Sequence, residues 1–281
     1  MKKIIKKYFL TNPLAEYLLI KLANHMPFFK KVFPDNTHYP KYSMRSVIRG
    51  GLSFRLDISD YQEYLVYFNL DVDSSKGVIK YLSRGKGLIL DIGANIGQTS
   101  LWMANELKLE EVEIIAVEPY PSTFQKLTYN INLNHFRNIT PINIAFGNSD
   151  SKLLMEGCSS NSGAFRVNSN IKNGDFIEVS QTTLDNYFKD DKRHIKFIKI
   201  DVEGFEYNVI KGGEYTIKKY HPTLFIEIDN ENLKSQNSTA LDLLVLLKNY
   251  GYNSILKSDT LTEVQMNELE YCHFDIICQK I

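Results

Sequence analysis

The segment LILDIGANIGQTS, residues 88–100, constrains the fold more than any other part of the chain. A short apolar run ends on an acid, a turn follows with glycine at both ends, and a helix begins straight after it. A strand that turns this tightly into a helix opens a βαβ unit, because the crossover has to return the chain to a parallel neighbour. The sequence downstream keeps that rhythm. Further strands are expected at 113–117, 139–145, 197–200, 223–228, 254–257 and 275–279, with helices across 99–107, 122–134, 207–220 and 240–250. Apolar runs alternating with amphipathic stretches predict an α/β fold: a mostly parallel seven-stranded sheet with helices on both faces. Residues 152–179, rich in Ser, Asn and Gly and without a clear period, read as an insertion carrying short strands.

Before Gly87 the pattern differs. Residues 45–86 read as a hairpin around Gly50-Gly51 and then a helical run, YQEYLVYFNL, forming a cap on the core of residues 87–281. Residues 1–44 form a helical N-terminal extension. Up to residue 40 it carries Lys2, Lys3, Lys6, Lys7, Lys21, Lys30 and Lys31 against only Glu16 and Asp35, while Leu14, Tyr17, Leu18 and Leu22 recur at helical intervals. Such a segment either packs on the core with its lysines in water, as most solvated charge runs do, or makes peripheral contact with an anionic membrane. Its basic start is like that of a signal peptide, but Pro13, Glu16 and Lys21 interrupt the apolar stretch. A cytoplasmic protein is therefore expected, with attachment to the inner face of the membrane as the variant.

Lys plus Arg (33) balances Asp plus Glu (33), so no global field draws the chain to nucleic acid, and none is expected as a partner. Cys158, Cys272 and Cys278 are odd in number and scattered, which suits a reducing compartment and argues against thiolate metal sites.

In the glycine turn, Gly93 permits close backbone approach, Gly97 lets the helix start near the strand, and the helix N-terminus offers free N–H donors. Asp91 at the strand end suits the amino group of a methionine moiety. The run Gly93-Ala94-Asn95-Ile96-Gly97 lacks the middle glycine that admits a pyrophosphate, which weighs against an NAD-dependent oxidoreductase. Glu118, followed by Pro119, ends the second strand, where an acid accepts hydrogen bonds from both ribose hydroxyls. Capping of the next helix is the plainer reading of Glu118, but it leaves unexplained why two successive strands end on acids. Turn and acid together indicate a nucleoside cofactor with a carboxyl-amine end, S-adenosyl-L-methionine, on a Rossmann-like core.

The second constellation is IKFIKIDVEGFEYNVIKGG, residues 195–213. A buried strand here delivers Asp201 and Glu203 to the carboxyl edge of the sheet, where ligands bind in open α/β folds. Paired carboxylates near a methyl sulfonium can orient a hydroxyl and take its proton; a salt-bridged pair that only shapes the loop is the alternative. Gly204 permits the turn, and Glu206 near the helix start reads as structural. None of the six histidines stands out as a general base.

Four strings in order, LDIGANIG at 90–97, VEPYPSTFQKLTYNINLN at 117–134, TLDNYF at 183–188 and IKIDVEGFEYNVIKGG at 198–213, resemble the FkbM-type methyltransferases. The resemblance covers roughly residues 55–278. It implies a class I fold and an S-adenosylmethionine-dependent O-methyltransferase acting on hydroxyls of sugars, glycan-linked groups or secondary metabolites. By the same resemblance Asp91, Gly93, Ala94, Asn95, Gly97, Glu118 and Pro119 look like the cofactor side, with Asn134 and Ala145-Phe146 toward the adenine, and Asp201-Val202-Glu203-Gly204 looks like the site loop. Asp201 with Asp229-Asn230 also resembles the positions at which catechol-type O-methyltransferases hold magnesium. Loop capping is the simpler account of Asp229 and Asn230, so no metal is expected. The acceptor is a small molecule or a glycan, best matched by a sugar of a surface polysaccharide or glycolipid; a non-catalytic cofactor-binding domain would need no acids after strand four.

Overall fold

A computed structural model describes residues 11–70, 75–156, 166–167 and 176–281. These fall into two compact units, one holding the described residues up to Leu70 and the other those from Ser75 onward. The first ten residues of the expected extension, Cys158 and much of the 152–179 insertion lie outside the described residues.

In the first unit, α1 (Pro13–His25) starts where Asn12 accepts a hydrogen bond from the Leu14 amide and Pro13 takes the first helical position. The hairpin follows as β1 (Met44–Arg49) and β2 (Leu52–Asp57), joined through Gly50 and Gly51. Both glycines have positive φ, as the tight two-residue hairpin turn demands. Helix α2 (Tyr61–Phe68) completes the unit. One buried acid ties its parts together. Glu16 on α1 has no exposed surface; Arg45 of β1 grips both its oxygens, at 2.8 and 3.0 Å, and the Tyr67 hydroxyl of α2 donates at 3.1 Å. Helix α1 turns Leu19 and Ala23 inward and leaves Leu14, Tyr17, Leu18 and Leu22 exposed, so the stripe read from the sequence is not the packed face.

The second unit begins with α3 (Lys76–Leu82) and β3 (Gly87–Ile92), then α4 (Gln98–Glu106), β4 (Val112–Val117), α5 (Pro121–Asn134) and β5 (Ile139–Ile142). A small sheet contains β6 (Ala145–Phe146), β7 (Ser151–Glu156), β8 (Arg166–Val167) and β9 (Phe176–Thr182), in the order β6-β9-β7-β8. After α6 (Leu184–Phe188) the chain returns as β10 (Ile195–Ile200), α7 (Glu206–Lys211), α8 (Glu214–Tyr220) and β11 (Thr223–Asp229). It ends with α9 (Asn230–Ser235), α10 (Ala240–Asn249), β12 (Ser254–Lys257) and β13 (His273–Gln279).

The main sheet has seven strands in the order β12-β13-β11-β10-β3-β4-β5. From β5 to β11 they run parallel; β13 is antiparallel to both its neighbours. This is the mostly parallel α/β sheet that the alternation predicts. Its central strands are covered on both faces, which is why they read as near-continuous apolar runs: Leu88, Ile89, Leu90, Ile198, Ile200, Leu224 and Ile226 have no exposed surface.

Two expected elements divide. The strand placed at 139–145 leaves the main sheet after Ile142, because Asn143 is held by the carbonyls of Glu118 and Pro119, and Ala145-Phe146 pairs instead with β9. The helix placed at 207–220 is interrupted at Gly212-Gly213. The backbone of Gly147 comes so close there that a Cβ on Gly212 would lie 1.8 Å from the Gly147 carbonyl oxygen, and the Gly212 carbonyl is used by the Asp185 amide.

Candidate functional site

The carboxyl ends of β11, β10, β3 and β4 lie side by side, and the chemistry-bearing residues gather there. After β3 the turn hooks onto β4: the amides of Gly93 and Ala94 both donate to the Val117 carbonyl, at 3.0 and 2.9 Å. Gly93, Asn95 and Gly97 all have positive φ, so the chain reverses three times within five residues. Glu118, at the end of β4, accepts from the Asn95 amide at 3.0 Å and the Tyr120 amide at 2.9 Å. Burial pushes its carboxyl up to about 7 despite those two donors. Asn130 of α5 supports the turn from outside by donating to the Ile96 carbonyl at 3.1 Å.

The loop after β10 presses against this turn. The Asp201 amide donates to the Ile92 carbonyl at 3.0 Å, and a Cβ on Gly93 would meet the Asp201 carbonyl oxygen at 1.7 Å. Only glycine allows the two segments to touch. Glu203 has φ 53° and Gly204 φ 101°, a left-handed pair that re-aims the chain into α7. Glu206 closes the loop from within. Its Oε1 accepts from the amides of Val202 and Gly204, both at 3.1 Å, and burial pushes its carboxyl up to about 7. Its expected structural role matches this geometry.

Around the loop the structure assembles an ion cluster that no sequence spacing announces. Lys199 on β10 lies beside Asp91 in register, with its Nζ 2.8 Å from Asp201 Oδ2 and 3.9 Å from Asp91 Oδ1. Burial works against the charge on this ammonium, but the Asp201 and Asp91 carboxylates outweigh it and hold its pKa above the ordinary lysine value. Burial likewise opposes ionisation of Asp201, and Lys199 overcomes it, keeping that carboxyl below the usual range. Glu227 on β11 completes the group: carboxylate oxygens of Asp201, Glu203 and Glu227 lie within 4.8 Å of one another. The Asp201 charge, then burial, push Glu227 up to about 9, so it keeps its proton at neutral pH. Asn232 donates to Glu203 Oε2 at 3.0 Å, and His273 Nε2 stands 3.7 Å from Glu227 with its Nδ1 3.0 Å from Asp229.

Asp91 has no exposed surface. Its Oδ2 accepts from the Ser100 hydroxyl and its Oδ1 faces Lys199, so it braces the turn from behind. Asn134, the last residue of α5, donates to the Asn130 carbonyl at 2.8 Å. Ala145 and Phe146 are core residues, the Phe146 ring standing edge-on to Tyr187 with centroids 5.5 Å apart. Asp229 and Asn230 are engaged locally. Asp229 caps α9 through the amides of Glu231 and Asn232, while Asn230 accepts from the Ala240 amide and donates to the Glu270 carbonyl. Asp201, Glu203 and Glu227 offer hard oxygen ligands of the kind magnesium takes, yet Lys199 already places a positive charge on that carboxylate group. Sequence reasoning missed Lys199, Glu227 and His273. The one signal for Lys199 was that the buried run IKFIKI, which becomes β10, carries two lysines, Lys196 near its start and Lys199 next to its carboxyl end.

The turn suits a ligand rich in donors. Asp91 Oδ1 and Asn95 Oδ1 are buried acceptors without a hydrogen-bond partner, and folded interiors leave few such atoms. With Glu118 beside them, an ammonium and a pair of ribose hydroxyls would supply the missing donors, as S-adenosylmethionine does. A depression of about 430 Å³ opens where β4 begins, lined by Lys86, Glu110 and Glu113 among others, and contains none of these residues.

Residues 91–254 match the family model described as the methyltransferase FkbM domain. No curated protein matches the sequence. Among solved structures, methyltransferase FkbM from Methylobacillus flagellatus KT is similar with a TM-score of 0.42 and 15% identity, over 78% of this chain and 55% of that one. M. jannaschii TYW2 in complex with AdoMet is similar with a TM-score of 0.42 and 13% identity, over 86% of this chain and 89% of that one. Aeropyrum pernix fibrillarin with natively bound S-adenosyl-L-methionine has a TM-score of 0.42 and 13% identity, over 85% and 84% of the two chains.

Proposed function

The chain belongs to the FkbM methyltransferase family, whose methyl donor is S-adenosyl-L-methionine, and from that premise we propose that it methylates a hydroxyl oxygen, on a sugar of a surface polysaccharide or glycolipid. The observation that supports oxygen as the acceptor atom is the carboxylate group pressed against the glycine turn, with Asp201 ionised beside Lys199 and Glu203 close by. When bound, the cofactor supplies an electrophilic methyl group on a sulfonium. The protein's part is to place a nucleophile in line with it and keep water out.

In this reading Glu118 and the Asn95 side-chain oxygen hold the nucleoside side, while Asp91, steadied by Ser100 and Lys199, would accept from the ammonium of the methionine end. The acceptor hydroxyl donates to Asp201 or Glu203, which orients the oxygen lone pair and takes the proton as the bond to carbon forms. Glu227 stays protonated at neutral pH and so adds no negative charge beside Asp201.

The test is transfer from labelled cofactor to a panel of activated sugars and glycolipids, with the product bond located by NMR. Asp201→Asn and Glu203→Gln are expected to lower kcat by about 10²-fold or more while leaving cofactor affinity within a few fold; Glu118→Ala is expected to do the reverse. Methyl groups found on carbon or nitrogen, or full turnover in both acid variants, would refute the assignment.

A further inference from the structure

We propose that the exposed face of α1 is a docking surface for an anionic lipid bilayer. Leu14, Leu18 and Leu22 keep 68%, 52% and 43% of their surface exposed and, four residues apart, lie along one side of the helix. Tyr17 (53%) lies beside them, and past the helix end Met26 (55%) and Phe28 (68%) are also exposed. A single exposed leucine is ordinary; a continuous row of apolar side chains on one face is not. The opposite side of α1, with Glu16, Leu19 and Ala23, is the one that packs within its own unit.

Charge identifies the occupant. Up to Pro34 the sequence holds seven lysines and one acid, Glu16, and that acid is wholly buried in the grip of Arg45 and Tyr67. Among the described residues up to Pro34, the exposed lysines are Lys21 and Lys31, and no acid is exposed beside them. Lys21 sits among the leucines, its Nζ 5.3 Å from the centre of the Tyr17 ring, and Lys31 is exposed just beyond. Leucines flanked by lysine and an amphipathic aromatic suit the boundary between headgroups and acyl chains. A second copy of the chain fits less well, since joining two such faces would bring Lys21 toward Lys21 in a drying interface. The helix has 13 residues, about 20 Å at 1.5 Å per residue, too short for a hydrocarbon core of about 30 Å. It would lie in the plane of the surface.

The test is co-sedimentation of the full chain with vesicles of phosphatidylcholine alone and of phosphatidylcholine mixed with phosphatidylglycerol, across a salt series. The expected result is binding to the mixed vesicles that weakens with salt. Leu18→Glu with Leu22→Glu should reduce it about tenfold or more, and Lys21→Glu with Lys31→Glu about fivefold or more per residue. All four side chains are exposed, so melting temperature and cofactor affinity should stay at the wild-type level, and these two measurements separate lost docking from lost folding. The proposal fails if the full chain stays in solution with mixed vesicles. It fails equally if the leucine variant binds like the wild type, or if that variant turns a dimer into a monomer. None of these outcomes depends on which atom is methylated.

Discussion

Gly93 and Asp201 touch: a Cβ on the glycine would sit 1.7 Å from the aspartate's carbonyl oxygen. The glycine turn after β3 and the acid-bearing loop after β10 are thus one packed object. Gly93→Ala must both adopt φ near 84° and push the β10 loop away, at a cost on the order of 2–4 kcal/mol. The expected outcome is a lower melting temperature together with loss of methyl transfer. Gly77→Ala is the control: no atom lies within 4 Å of its added carbon in α3, so it should stabilise by about 0.5–1 kcal/mol.

Lys199→Met removes the cation between Asp91 and Asp201. Breaking a buried pair leaves an uncompensated charge, here on the order of 3 kcal/mol, the low end of the range because the Asp201 side chain keeps 37% of its surface exposed. Asp201 is held below its ordinary value in the native protein, so its contribution to stability is present above the unfolded value of 3.8 and lost as pH falls through the native one. Without the lysine that contribution disappears. The acid limb of the pH–rate profile should move to higher pH, and an unmoved limb would separate Lys199 from the acid it contacts.

Glu227 predicts the alkaline side. Its carboxyl, pushed up to about 9, is neutral at pH 7 and ionises only above that value, adding a negative charge beside Asp201 and Glu203. Turnover in the wild type should therefore change as pH rises through about 9, and Glu227→Gln, which copies the neutral form, should lack that step. Rate measurements from pH 7 to 10 would show it; an identical alkaline limb in the variant would remove Glu227 from the account.

Glu206 makes a prediction about stability alone. Its native carboxyl titrates near 7 against an unfolded value of 4.5, so the native state binds the proton more tightly. The stabilisation is complete below the unfolded value and drains away as pH rises through about 7. Glu206→Gln keeps the oxygen that accepts from Val202 and Gly204 and cannot ionise. Melting curves between pH 4.5 and 8 should be flatter for the variant, with a gain on the order of 1–3 kcal/mol at the alkaline end.

The main sheet was legible because its central strands are buried on both faces and read as near-continuous apolar runs, and the glycine turn because its conformation admits few residues. What the sequence could not show was anything that depends on register between distant strands. Lys199, Glu227 and His273 meet because β10, β11 and β13 are neighbours, and no interval along the chain records that. The break at Gly212-Gly213 was hidden for the same reason: the segment that forbids a continuous helix, at Gly147, is far away in sequence. In α1 the period revealed a helix but not its orientation. The buried side is set by Glu16 and its partner Arg45, and an acid is the residue that sequence reasoning assigns to water.

The order of strands also decides when the enzyme becomes whole. One edge of β3 pairs with β4, a single helix away in sequence, but the other pairs with β10, so that Leu90 meets Ile198 from across all the strands of the small sheet in chain order. Long-range parallel pairing of this kind is slow, and until it happens an apolar strand edge stands open to any other chain. A nascent or cleaved chain that ends before β10 carries the glycine turn without Asp201 and Glu203, and exposes the edge by which chaperones and aggregates take hold.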